Sequence, residues 1–271
     1  MINTILFPTD FAETAMNTGT YALELAKHVG AKKIVVYHTY NTATEAEPMI
    51  YTRVVVQPFR LESKARLNAF VGQLRAKAGD EIWIEAYHSH EELTTAVNEI
   101  AHATNADLIV MGIAGGGKLK EIFVSSQSIA VAKQTDIPAI IVPACAAYKD
   151  IKRIALLSDL KEVETTVPFT KINQLLENTQ AKLFVLHIHT SSEADESEIE
   201  KLNALLVATP KYHFMDETDL PEAVAAFVTA NEIDMVITVT KKHGFLHNVF
   251  GVNHTKALAF HSKVPLMVTH K

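Results

Sequence analysis

Short apolar runs rich in β-branched residues alternate along the first half of the chain with stretches whose apolar positions recur at helical spacing. Ile5-Leu6-Phe7 and Ile34-Val35-Val36-Tyr37 are runs of the first kind. Between them Ala15, Met16, Gly19, Ala22, Leu23, Ala26 and Val29 form a stripe that suits a helix packed on a sheet, with Gly30 as its stop. Leu67, Phe70, Val71, Leu74 and Ala78 predict a second helix, broken at Gly79-Asp80, and Ile82 to Tyr87 a third strand. Leu93, Ala96, Val97, Ile100 and Ala101 mark a third helix. Asp107 to Met111 reads as a strand buried on both faces, because it carries no polar alternation. A helix over Ser126 to Gln134 and a strand over Ala139 to Val142 complete the set. Strand and helix in regular alternation predict a parallel sheet with crossover helices. Residues 41–60 carry the least pattern and are expected as a lid, an interface arm or a surface loop.

The second half repeats this order. ILFPTDF at 5–11 returns as IALLSDL at 154–160, and KIVVYHTY at 33–40 as KLFVLHIH at 182–189, both 149 positions later. ADLIVM at 106–111 returns as IDMVIT at 233–238, and DIPAIIV at 136–142 as KVPLMVT at 263–269, now 127 positions later. Four segments in the same order point to duplication of a domain-sized unit, and the period is far too long for a solenoid. The second copy is 22 positions shorter between its second and fourth strands. The expected domains are residues 1–147 and 148–271, joined near Ala144 to Asp150.

Composition narrows the class. A chain of 271 residues with 48% hydrophobic and 21% charged positions can fill two cores. A net charge of −6 and the absence of a Lys/Arg stripe along the sequence argue against a nucleic-acid partner. No apolar stretch is long enough to span a bilayer, so no membrane partner is expected. The N-terminus does not read as a signal peptide, and the single Cys145 has no partner for an intrachain disulfide. These features together predict a cytoplasmic protein.

The sharpest chemical signal is MGIAGGGKLKEIFVSS, Met111 to Ser126, set between a buried strand and a helix. Ligands of open parallel sheets collect at the carboxyl ends of strands. Gly112, Gly115 and Gly116 allow close approach of backbone to a phosphate, and Ser125 and Ser126 stand where the free N–H groups of the next helix favour an anion. Lys118 or Lys120 could reach a distal phosphate or stand in solvent. The segment matches neither GxxxxGK[ST] nor GxGxxG, and from composition a tight turn with a serine cap is the other reading.

From its first strand to its last, the stretch 3–143 resembles a universal stress protein domain of the nucleotide-binding kind. The resemblance implies an α/β fold of two tandem five-stranded parallel sandwiches, adenine nucleotide alpha hydrolase-like, with strand order 3-2-1-4-5. Gly112 and Gly115 match the first two glycines of the motif G-x2-G-x9-G-[ST], Ser126 matches its hydroxyl residue, and Ser125 stands where the family has its third glycine. Pro8, Thr9, Asp10 and Phe11 match the family's PTDF opening, which makes Asp10 an adenine or ribose contact; Thr39 matches a position whose backbone meets adenine. The resemblance thus implies ATP, with Mg²⁺ as its possible counter-ion, held by Pro8, Thr9, Asp10, Thr39, Met111, Gly112, Gly115, Gly116, Ser125 and Ser126. It also implies pairing of the two domains through Ala139 to Val142 and Pro265 to Val268, and is compatible with a homodimer.

In the second copy Val239 and Lys242 replace the glycines, and Val252 and Asn253 the serines, so that copy is expected to be structural. His38 and His187 recur at matching strand ends, which suggests a shared structural task and no metal site. Glu91-Glu92 is expected at a helix start, and Trp83 as a packing residue. No catalytic residues emerge. The expected function is a stress-response or regulatory module that binds an adenine nucleotide; a nucleotide-free interaction scaffold and a slow ATPase are the alternatives.

Overall fold

The computed structural model describes residues 1–40, 53–113, 126–189, 195–216, 220–239 and 263–271. The first unit runs β1 (Thr4–Pro8), α1 (Ala15–Val29), β2 (Lys33–Thr39), α2 (Arg53–Ala78), β3 (Trp83–Ser89), α3 (Leu93–Ala103), β4 (Leu108–Gly112), α4 (Ser126–Gln134) and β5 (Ala139–Val142). The second runs β6 (Arg153–Ser158), α5 (Val163–Thr166), α6 (Phe169–Thr179), β7 (Lys182–His189), α7 (Glu196–Leu205), β8 (Lys211–Asp216), α8 (Leu220–Ala230), β9 (Met235–Val239) and β10 (Leu266–Thr269).

Each unit is a parallel sheet, with orders β3-β2-β1-β4-β5 and β8-β7-β6-β9-β10, both the expected 3-2-1-4-5. The units join edge to edge into one ten-stranded sheet. β5 and β10 pair antiparallel there, with Ile141 opposite Leu266, Ile140 opposite Met267 and Ala139 opposite Val268. The intrachain pairing of last strands follows from their composition: AIIV and LMVT are entirely buried, and each covers the edge the other would leave open. Strands β1 and β9 are buried along their whole length, which is why they read as unbroken apolar runs. Two apolar layers cover the faces of the sheet, and each draws residues from both units.

The duplication persists at the level of single hydrogen bonds. Asp107 Oδ2 accepts from Asn3 N and Thr4 N at 2.7 and 3.0 Å, while Asp234 Oδ2 accepts from Lys152 N and Arg153 N at 2.8 and 2.9 Å. These residues stand at the same 127 and 149 offsets that relate the strands. In both units the carboxylate that opens the fourth strand ties down the start of the first.

Two expectations require correction. Residues 53–60, expected within an unpatterned loop, belong to α2; the run Val54-Val55-Val56 and Pro58 are poor helix signals that hid its start. Residues 41–52 lie outside the described part. Trp83, expected as a packing residue, is 66% exposed on the edge strand β3, where its Nε1 donates to Glu85 Oε1 at 3.1 Å. Among the described residues no helix is long and apolar enough to cross a membrane.

Candidate functional site

The site begins where β1 ends. After Pro8 the chain turns sharply: Thr9 Oγ1 accepts from Phe11 N at 3.3 Å and Asp10 Oδ1 from Ala12 N at 2.9 Å. Phe11 takes the left-handed backbone conformation, φ 59°, which costs a non-glycine residue free energy that these local bonds offset. Thr9 is fixed on both sides of its peptide. Its N–H donates to Tyr37 O at 2.8 Å, and its carbonyl meets His38 Nδ1 at 2.7 Å. A carbonyl only accepts, so Nδ1 carries the proton, which leaves Nε2 as the acceptor of the neutral ring. Burial holds the His38 pKa below its ordinary value, and the nearby Arg66 charge acts in the same direction. The ring packs at 4.2 Å against Phe11, which also meets the Phe70 ring at 5.7 Å and the Arg66 guanidinium at 5.0 Å from its ring centre.

β2 and β4 supply the rest. Thr39 closes β2, and its hydroxyl donates to Glu91 O at 2.5 Å. Next to it Glu92 caps α3, accepting from Thr94 N and Thr95 N, and these bonds lower its pKa. Gly112 closes β4 between two helices. Ser128 Oγ, from α4, donates to its carbonyl at 2.9 Å, and a Cβ on Gly112 would lie only 2.4 Å from Thr18 Oγ1 of α1. The close helix, not a left-handed turn, explains the glycine: Gly112 is not among the residues with positive φ.

A cavity of about 200 Å³ opens at this junction. Pro8, Thr9, Asp10, Thr39, Met111 and Gly112, all expected site residues, line it together. Gly115, Gly116 and Ser125 lie outside the described residues, and Ser126 is described only as the first residue of α4. The wall also contains Thr18, His38, Leu93 and Ser128, which sequence reasoning did not select. Thr14 and Thr18 do carry a signal, since their i,i+4 spacing sets two hydroxyl residues on one face of α1. Nothing local marks Leu93 or Ser128.

The second unit builds the same turn around a different environment. Leu160 N donates to Ser158 Oγ at 3.1 Å, Lys161 N to Asp159 Oδ1 at 3.2 Å, and Leu160 has φ 49°. His187 Nδ1 meets Ser158 O at 3.3 Å, as His38 meets Thr9 O. The two histidines thus do share a structural task. Asp10 is exposed, however, whereas Asp159 is only 4% exposed.

Comparison with known proteins agrees with this architecture. The model of the universal stress protein family matches residues 1–143. A universal stress protein from Archaeoglobus fulgidus is similar in structure at 17% identity, with a TM-score of 0.73 over 98% of this chain and 96% of that one. A functionally unknown protein from Pseudomonas aeruginosa is similar at 11% identity, with a TM-score of 0.58 over 99% of this chain and 92% of that one. At such identities the likeness shows the shared fold. None of the curated proteins compared matches the chain. With the family model spanning more than half its length and the tandem fold running from end to end, the chain belongs to the universal stress protein family, whose general role is in stress response.

Proposed function

We propose that the first unit binds an adenine nucleotide, ATP by preference, and that the protein acts as a nucleotide-responsive module of the stress response. The observation that carries this reading is the convergence of Asp10, Thr39 and Gly112 on one cavity at the carboxyl ends of β1, β2 and β4. The residues suit such a ligand. Gly112 keeps bare backbone where a Cβ has no room, and the exposed Asp10 carboxylate offers acceptors to a ribose or to an exocyclic amine. Leu93 and Met111 supply apolar surface for a base, and the hydroxyls of Thr14 and Thr18 supply polar contacts. The phosphates would run out from Gly112 toward Ser126, and Mg²⁺ would meet them there, a counter-ion for charge that the backbone only partly neutralises.

In this reading the residues position and sense; they do not catalyse. Among the described residues of the cavity wall the titratable side chains are Asp10, which bonds the backbone of its own turn, and His38, whose Nδ1 is tied to Thr9 O and whose burial makes its ring a weak base. The second unit, with Asp159 buried and Val239 in place of Gly112, serves pairing and stability.

The test is direct. Protein purified without added nucleotide is extracted for mass analysis and titrated with ATP and Mg²⁺ by calorimetry. One site per chain is expected, with affinity lowered about tenfold or more in Asp10→Ala, which removes a charged hydrogen-bond acceptor. Absence of both binding heat and retained nucleotide would reject the reading and leave the interaction scaffold. Sustained phosphate release abolished by the same substitution would instead make the protein an ATPase.

A further inference from the structure

Where the two units meet, a cleft of about 980 Å³ gathers charge that no stretch of sequence displays. Its walls carry Lys149 and Lys152 from the connection between β5 and β6, Arg153 at the start of β6, Lys182 at the start of β7, and Lys263 just before β10. Three acids share the cleft, and all three have company. Asp234 accepts the backbone N–H groups of Lys152 and Arg153, Glu232 pairs with the Arg153 guanidinium, and Asp150 lies 3.8 Å from His28 Nδ1. The four lysines are exposed, and among the described residues their ammonium groups make no hydrogen bond or salt bridge, although the Lys149 charge acts on Glu232. In a chain of net charge −6 the cleft is a local excess of positive charge, with five cations against three acids on its walls.

Strand register gives the array its shape. Leu266, Val236, Ala155 and Phe184 lie side by side across β10, β9, β6 and β7, so the starts of these four strands form one rim. At about 4.8 Å per strand, the starts of β10 and β7 are about 14 Å apart; Lys263 comes shortly before the first, Lys182 opens the second, and Lys152 precedes β6 between them. Because β10 runs antiparallel to β5, this rim continues the carboxyl ends of β5 and β4, where Val142 pairs with Gly112. The cleft therefore opens on the same edge of the sheet as the nucleotide cavity.

We infer that this cleft is a second ligand site, for a compact anion bearing several phosphoryl groups. The chemistry of the walls selects that class. The free cations are all lysines, point charges on flexible stems that suit phosphoryl oxygens and lack the planar fork of arginine for a carboxylate. Of the cleft's larger apolar side chains, Tyr21, Val228 and Ile233 are 2%, 6% and 3% exposed. They offer no socket for an anchoring side chain of a peptide and no ring face on which a base of single-stranded nucleic acid could stack.

The probe is inorganic tripolyphosphate, titrated into the full chain by calorimetry at low ionic strength. One site per chain is expected, with binding that weakens as salt is raised. Lys152→Gln combined with Lys182→Gln should weaken it about tenfold or more, and Lys263→Gln alone should weaken it in the same direction. Asp10→Ala should leave it unchanged, which keeps this site distinct from the ATP reading whichever of the two fails. Unchanged melting of the lysine variants, whose altered side chains are exposed, shows that they fold. The inference is overturned by absence of tripolyphosphate binding, by equal binding in the lysine variants, or by tighter binding of a glutamate-rich peptide or a single-stranded oligonucleotide.

Discussion

Replacing Gly112 by alanine tests whether the cradle is built as the packing implies. In a strand this exchange would ordinarily stabilise by about 0.5–1 kcal/mol, because glycine loses more backbone freedom on folding. Here the new Cβ would lie 2.4 Å from Thr18 Oγ1, about 1 Å inside normal contact. Thr18 is 2% exposed and cannot swing outward freely; its hydroxyl bond to Thr14 O is long, at 3.4 Å, so crowding is the main obstacle. Overpacking of this kind costs about 1–3 kcal/mol. Gly112→Ala is therefore expected to destabilise on balance by about 1–2 kcal/mol, in place of the usual gain. Thr18→Ala alone should cost about 1 kcal/mol, the worth of a weak hydrogen bond and a small void. With the hydroxyl gone the inserted methyl has room, so the double variant should recover at least about 1 kcal/mol relative to additivity. Urea unfolding followed by far-UV circular dichroism would measure all three variants. A neutral or stabilising Gly112→Ala, or a double variant that is merely additive, would refute the close approach of α1 to the end of β4.

Two further outcomes follow from the hydrogen bonds and the buried rings. His38 and His88 both have depressed pKa values, caused first by burial and then by nearby cations, Arg66 in one case and Arg60 and Lys64 in the other. The unfolded chain thus binds more protons, so stability is full above the unfolded histidine value of about 6.5 and falls as pH drops toward the folded values. Urea midpoints should be lower at about pH 5.5 than at about pH 7.5, and His38→Gln should flatten the difference; an unchanged slope in that variant would assign the effect elsewhere. Asp107→Ala and Asp234→Ala each free two backbone N–H groups at a partly exposed strand start, so each should cost about 1–2 kcal/mol by the same urea assay. Loss in only one of the two would break the equivalence of the units.

The strands were legible because their signal is local. Ile5-Leu6-Phe7 and Leu108 to Met111 are buried on both faces, and a sheet covered on both sides permits few polar positions. The pairing of the units was legible through family resemblance, and their last strands consist of residues that demand burial. What escaped detection is convergence between distant segments. Thr18 lies three strands before the end of Gly112's strand and Ser128 in the helix after it, and the five cations of the cleft come from the β5–β6 connection and separate parts of the second unit. No stripe of basic residues exists in the sequence; strand register assembles one. Trp83 escaped for the opposite reason. An aromatic in a strand reads as core, yet β3 is an edge, where helix cover is incomplete.

The second unit explains why the proposed nucleotide cradle is more than a glycine. By the offsets of the repeat, Val167 stands where the first unit has Thr18, and Val239 where it has Gly112. Two buried valines replace a hydroxyl and a bare backbone, and both belong to the same apolar layer. The exchange required a change in the helix as well. α5 ends at Thr166 and α6 begins at Phe169, with Val167 extended at φ −87°, ψ 124° immediately before Pro168. Proline removes a helical N–H and disfavours helical backbone in the residue before it, so the segment matching α1 is broken at the position of Thr18. With the helix opened there, a side chain at the end of the fourth strand no longer faces an intact turn. The unbroken α1 of the first unit has the opposite consequence: it packs Thr18 against the strand end and holds that position to glycine, whose backbone lines the cavity of the proposed ligand.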